Sequence, residues 1–97
     1  MSKGLKKLVL DVLKPHKPTV TQIALSLAEI NGVEGVNIVS VTVDRETEAV
    51  KITIEGNLDI EAVNENLTAN GCSIHSVDLV CAGQKIIDEG KTYNTPI

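Results

Sequence analysis

The chain has no phenylalanine and no tryptophan, and Tyr93 is its single aromatic residue. A core in these 97 residues must therefore be aliphatic, built from Val, Ile and Leu. Single-stranded nucleic acid also finds no rings on which to stack its bases. Basic charge is scarce: 9 Lys and Arg stand against 13 Asp and Glu, a net charge of −4, which opposes a phosphate-backbone partner. Lys3, Lys6 and Lys7 cluster at the N-terminus but read as a solvated strand end. No nucleic-acid partner is expected. No apolar run approaches the ~18 residues of a transmembrane segment, so no membrane partner is expected either. The opening "MSKGLKKLVLDVLK" has a basic start, but Asp11 interrupts its apolar run and no small-residue cleavage site follows, unlike a signal peptide. These absences predict a cytoplasmic protein. The two cysteines, Cys72 and Cys81, form no CxxC and are expected as free thiols in a reducing compartment. A Ser/His/Asp order, a P-loop and a dinucleotide glycine pattern are all missing.

What is present is periodicity. Leu5 to Lys14 reads as a strand that Pro15 ends, since proline cannot donate to a ladder. Thr19 to Asn31 reads as a helix, with Val20, Ile23, Ala24, Leu27 and Ile30 at helical spacing. Thr19 and Gln22 are placed to form a capping box, and Gly32 stops the helix. Gly35 to Asp44 alternates as a strand, "DRETE" makes a polar hairpin, and Ala49 to Glu55 follows with Val50, Ile52 and Ile54 on one face until "GN" breaks it. Asp59 caps a second helix with the stripe Ile60, Val63 and Leu67, which Gly71 ends. Ser73 to Ala82 is the last strand, with Val77, Leu79 and Cys81 expected to point inward.

The order βαββαβ predicts an α+β, ferredoxin-like sandwich: four antiparallel strands in spatial order 4-1-3-2, with both helices on one face. A single domain spanning 1–97 is expected, with its core in 4–83 and a tail over 84–97. The other sheet face should be bare in the monomer, carrying Lys7, Val9, Asp11 and Leu13 from the first strand, Ser76, Asp78 and Val80 from the last, and Ile38.

Two groups of residues are candidates for chemistry. Asp11 and Asp78 should lie nearly opposite each other on the bare face, where like charges repel. Lys7 or Lys51 can relieve them; so can a hard, oxygen-loving cation, Ca²⁺ or Mg²⁺, completed by ligands from a second subunit. His16 lies in "KPHKPT" between two prolines whose structural roles are plain. It reads either as a solvated loop histidine or as part of a convergence with Cys72, His75, Asp44, Glu46 and Glu48. His16 and His75 are thus further metal candidates. Cys81 reads as a small buried hydrophobe and Cys72 as the more exposed thiol.

Three resemblances follow. "NGVEGVNIVSVTVDRETEAVKITIEGN" is similar to the middle of a heavy-metal-associated domain, whose GMxCxxC loop is replaced here by the cysteine-free "KPHKPT". "QIALSLAEINGVEGVNI" resembles a small-molecule-sensing ACT domain, without the first-loop glycine that admits an amino acid. "GLKKLVLDVLKPH", "VEGVNI", "VKITIEG" and "IHSVDLVCAG" together resemble a family of small archaeal proteins of unknown function. That resemblance implies the ferredoxin-like fold, an archaeal cytoplasmic source and homo-oligomers, and it implies no activity.

The expected function is a non-enzymatic, self-assembling domain that binds a small ligand or divalent cation near subunit contacts. The alternatives are an ACT-like sensor of an amino acid or other metabolite, and an enzyme using Asp11, Asp78 and His75.

Overall fold

A computed structural model describes residues 4–88. In chain order the elements are β1 (Leu5–Pro15), α1 (Val20–Ala28), β2 (Val33–Val43), β3 (Thr47–Leu58), α2 (Ile60–Ala69) and β4 (Ser73–Ala82). The sheet order is β2-β3-β1-β4, with every neighbouring pair antiparallel. This is the expected ferredoxin-like α+β architecture, counted from the other edge.

One aliphatic cluster joins the helices to the sheet. Leu8, Leu10 and Val12 of β1 and Val50, Ile52 and Ile54 of β3 meet Ile23 and Leu27 of α1 and Val63 and Leu67 of α2. Each helix turns two apolar residues four apart onto the sheet, the spacing that keeps side chains on one helical face. The capping box forms: Gln22 N–H donates to Thr19 Oγ1 at 3.2 Å, and Thr19 N–H donates to Gln22 Oε1 at 2.9 Å. Helix α1 stops at Ala28 rather than Asn31, because the chain tightens into three-residue bonds there, Glu29 N–H to Ser26 O and Ile30 N–H to Leu27 O.

The sequence "GN" does not break β3, which runs on to Leu58. Gly56 instead marks a place where two backbones touch. Its φ is +150°, and a Cβ there would lie 2.1 Å from the Gly32 carbonyl oxygen. That oxygen accepts a 2.8 Å bond from Asn57 N–H.

Strand β4 departs from simple alternation. Val9 pairs with Leu79 but Leu10 with Val77, so Asp78 is an extra residue; Asp11 pairs with Ser76 but Val12 with Ile74, so His75 is another. Each β-bulge shifts the alternation by one. Cross-strand partners share a face. Val77, opposite Leu10, faces the helices as expected, but Leu79 and Cys81 turn to the other face and Val80 turns to the helix side. Ile38 is also corrected: it pairs with Ile52 and packs on the helix-side core, while Val39, opposite Lys51, takes the open face. Cys72, expected to be more exposed, is 5% exposed and lies in the main cluster.

The second face is not bare throughout. Val9 and Cys81 are buried yet lie outside the helix-side cluster. The segment 84–88 returns to this face at Lys7 and Cys81. Lys7 Nζ meets Asp88 Oδ2 at 2.6 Å, and the Cys81 thiol donates to the Ile87 carbonyl at 3.4 Å. Lys3 and the remainder of the tail, including "KTYNTPI", lie outside the described residues.

Candidate functional site

Asp11 has Lys51 and Ser76 as its cross-strand partners. The bulge at Asp78 brings that carboxylate to the same neighbourhood. Lys51 Nζ donates to Asp78 Oδ2, and Ser76 Oγ donates to Oδ1 at 2.9 Å. The Lys51 ammonium holds the Asp78 carboxyl below its ordinary range against the opposing effect of burial; Ser76, and more weakly His75, push the same way as Lys51. Lys51 is thus the lysine that relieves this face. Lys7 pairs elsewhere, with Asp88 and, at 3.5 Å, with Glu55. Among the described residues no group of three or more His, Cys, Asp or Glu side chains is gathered as a metal site.

A second cluster lies where β1 gives way to the loop before α1. Leu8, Leu10, Val12 and Lys14 continue one alternating face, and Lys14 is buried with them, only 1% exposed. Its ammonium donates to the Pro15 carbonyl at 2.6 Å and to Glu48 Oε1 at 3.2 Å. The other oxygen of Glu48 meets His16 Nδ1 at 2.8 Å, and His16 Nε2 meets the Arg45 carbonyl at 2.8 Å. Glu48 therefore joins a lysine from inside and a histidine from outside. The carboxylate raises the His16 pKa above its ordinary value, with the Arg45 carbonyl adding and burial opposing; His16 and then Lys14 lower that of Glu48.

Of the expected convergence, His16 and Glu48 come together. Cys72 sits near Lys14, but burial pushes its thiol pKa up, the wrong direction for a nucleophile. The carboxylate that meets a histidine is on His16, not on the exposed His75. Nor is His16 poised as a general base, because the nitrogen that would accept a substrate proton is engaged by the Arg45 carbonyl. Lys14 was not singled out by the sequence reading. Its signal was there: it occupies the next inward position after Val12.

The described residues include two open clefts. One of about 310 Å³ is polar, lined by Lys6, Glu34, Glu55, Asn57, Gln84 and Ile86. The other, about 280 Å³, lies between α1 and β2 and is lined by Val20, Ala24, Leu25 and Ile38.

The DUF211 family model, described as uncharacterized ArCR, matches residues 6–95. The chain belongs to the DUF211 family. An uncharacterized protein of Methanocaldococcus jannaschii is 49% identical over 90 residues, covering 92% of this chain and 93% of its own. The match reaches from β1 into the tail, so both charged clusters of this DUF211 chain fall within it. The expected archaeal family of unknown function is the one found. Among the described residues, no helix is long and apolar enough to cross a membrane.

Proposed function

We propose that this DUF211 chain is a non-enzymatic domain that assembles with copies of itself through the β2 edge of its sheet and the exposed part of its second face. The observation that carries the reading is β2. It is an edge strand of 11 residues with no proline and no lysine, and Val39, Val41 and Val43 on it are 54%, 56% and 64% exposed. Although its pairing with β3 shifts register between Ser40 and Thr42, this valine-rich edge offers unpaired backbone groups to another strand. Light scattering across micromolar concentrations tests it. A mass above the 10.3 kDa monomer that falls in Val41→Lys supports the reading, and a monomer throughout overturns it.

The ligand in this reading is a divalent cation, Ca²⁺ or Mg²⁺, at Asp11 and Asp78, completed by a neighbouring copy. Such an ion has to displace the Lys51 ammonium from Asp78, so binding would free Lys51. A melting temperature raised by millimolar Ca²⁺ or Mg²⁺ and restored by EDTA supports the cation. An unchanged one leaves Lys51 as the sole counter-charge.

The second reading is an ACT-like sensor of an amino acid. The polar cleft favours it, because Lys6 and the carboxylates of Glu34 and Glu55 complement the two charges of a zwitterion. Calorimetry against a panel of free amino acids decides it.

A further inference from the structure

With Glu48 ionised, His16 has an arrangement that only one protonation state of the ring satisfies. Nδ1 faces a carboxylate oxygen of Glu48 and Nε2 faces the carbonyl oxygen of Arg45, each at 2.8 Å. Both oxygens are acceptors, and a carbonyl has no proton to give. A neutral imidazole carries one N–H, so one nitrogen would point its lone pair at an oxygen. Imidazolium donates to both.

The two acceptors belong to one structural unit. Arg45 lies in the turn between β2 and β3, and Glu48 lies at the start of β3. His16 itself belongs to the loop that leaves β1. Lys14, buried beneath, anchors the other oxygen of Glu48 and fixes the carboxylate in place. We infer that His16 is a proton-operated latch: its imidazolium fastens the β2–β3 turn to the loop between β1 and α1, and loss of a proton releases the turn.

The groups that act on the ring come from each element around it. Glu48 of β3 favours the charged ring, as does the Arg45 carbonyl of the turn, and Lys14 of β1 opposes it. The sign follows from the direction of the shift. The folded ring binds its proton more tightly than the unfolded ring, whose ordinary value is 6.5, so the latch is fully closed below that pH. It is lost as pH rises through the higher folded value. On the acid side Glu48 must stay ionised; its folded value lies below the ordinary 4.5, so closure is complete above that pH and is lost only as pH falls through the lower folded value. The turn is thus held in mildly acidic solution and loosened in alkaline solution.

This inference does not depend on self-assembly, and its test reads the turn directly. The chain has 2 histidines, so His75→Gln leaves His16 as the sole reporter. Nitrogen-15 NMR of the ring at pH 6 should show both nitrogens protonated. Hydrogen-exchange protection of the Asp44 amide, which donates to the Thr47 carbonyl at 2.8 Å inside the turn, should fall severalfold as the ring titrates. His16→Asn should remove that pH dependence, and Glu48→Gln should lower the ring's titration midpoint. A neutral tautomer at pH 6, an Asp44 protection factor indifferent to the ring's titration, or the same profile in His16→Asn would each overturn the latch.

Discussion

Lys14 and Glu48 face each other across the β1–β3 ladder, and 3.2 Å separates Nζ from Oε1. The lysine lies inside and the carboxylate at the rim, with the Pro15 carbonyl as the second acceptor for the ammonium. Burying an ammonium is costly unless hydrogen bonds replace its water, and here both partners are supplied by the strands themselves. Truncating Lys14 to Ala removes a fully buried side chain and leaves the Pro15 carbonyl without its donor. The expected loss is roughly 2–4 kcal/mol in urea denaturation. Lys14→Met keeps the volume but also removes the donor to the Pro15 carbonyl and the counter-charge of Glu48, so it should recover only the packing part of the loss. Equal losses in the two variants would locate the whole effect in the charge.

The close approach of Gly32 and Gly56 makes a backbone prediction. Gly56→Ala places a methyl group 2.1 Å from a carbonyl oxygen, at a φ that favours glycine. The chain must move apart there, with a cost on the order of 1–3 kcal/mol. Gly35, where a Cβ meets nothing within 4 Å, is the control, and its alanine variant should melt close to the parent.

Helix α1 depends on its cap. Thr19→Ala removes the hydroxyl that accepts from Gln22 N–H. A destabilisation of about 1 kcal/mol is expected. Thr19→Ser retains the acceptor and should recover most of it.

The two thiols should differ in how they are protected. Cys81 is covered by residues 84–88, whereas Cys72 belongs to the helix-side core. Truncation after Gly83 should therefore speed alkylation of Cys81 and leave Cys72 slow. Mass spectrometry of the labelled peptides separates the two. Equal acceleration would mean that the segment supports the whole core.

Acid should act through Asp78. Its folded carboxyl holds its proton less tightly than the ordinary value of 3.8. The stabilisation it brings is present above that pH and is lost as pH falls through the lower folded value. Lys51→Met removes the main cause, so the loss of melting temperature between pH 5 and pH 3 should shrink. An unchanged acid limb would assign the effect to other carboxylates.

The element order was legible because each segment repeats one period long enough to be read. Ile23 and Leu27 mark a helical face, and Val50, Ile52 and Ile54 mark an inward strand face. The capping box was legible from Thr19 and Gln22 alone. What alternation could not reveal was where it slips. Nothing in "SIHSVDLVCA" announces that His75 and Asp78 are extra residues, because bulges are set by pairing with β1 rather than by local preference. The faces of Leu79, Val80 and Cys81 were misread for that reason. The "GN" of β3 was misread because a glycine required by a neighbouring backbone looks in sequence like a glycine that ends a strand. The charged clusters were half legible. Shared faces offer Asp78 either Lys7 or Lys51, and only the pairing in the folded sheet selects Lys51. Lys14 stands at an inward position, and its role depends on the cross-strand partner Glu48, which the sequence does not pair with it.

The slip in β4 also sets how the strand should tolerate mutation. Before Asp78 the even-numbered Ser76 shares the open face with Asp11; after it the odd-numbered Leu79 and Cys81 do, opposite Val9 and Lys7. A saturation scan of β4 should therefore show a substitution profile that changes phase at Asp78, so that one period fitted across the strand averages toward no signal. Deleting Asp78 removes the extra residue and should restore one continuous phase from Ser76 to Cys81, with Val77 still opposite Leu10 and Ser76 still opposite Asp11. Deleting His75 as well should extend that single phase to Ser73, with Ile74 still opposite Val12.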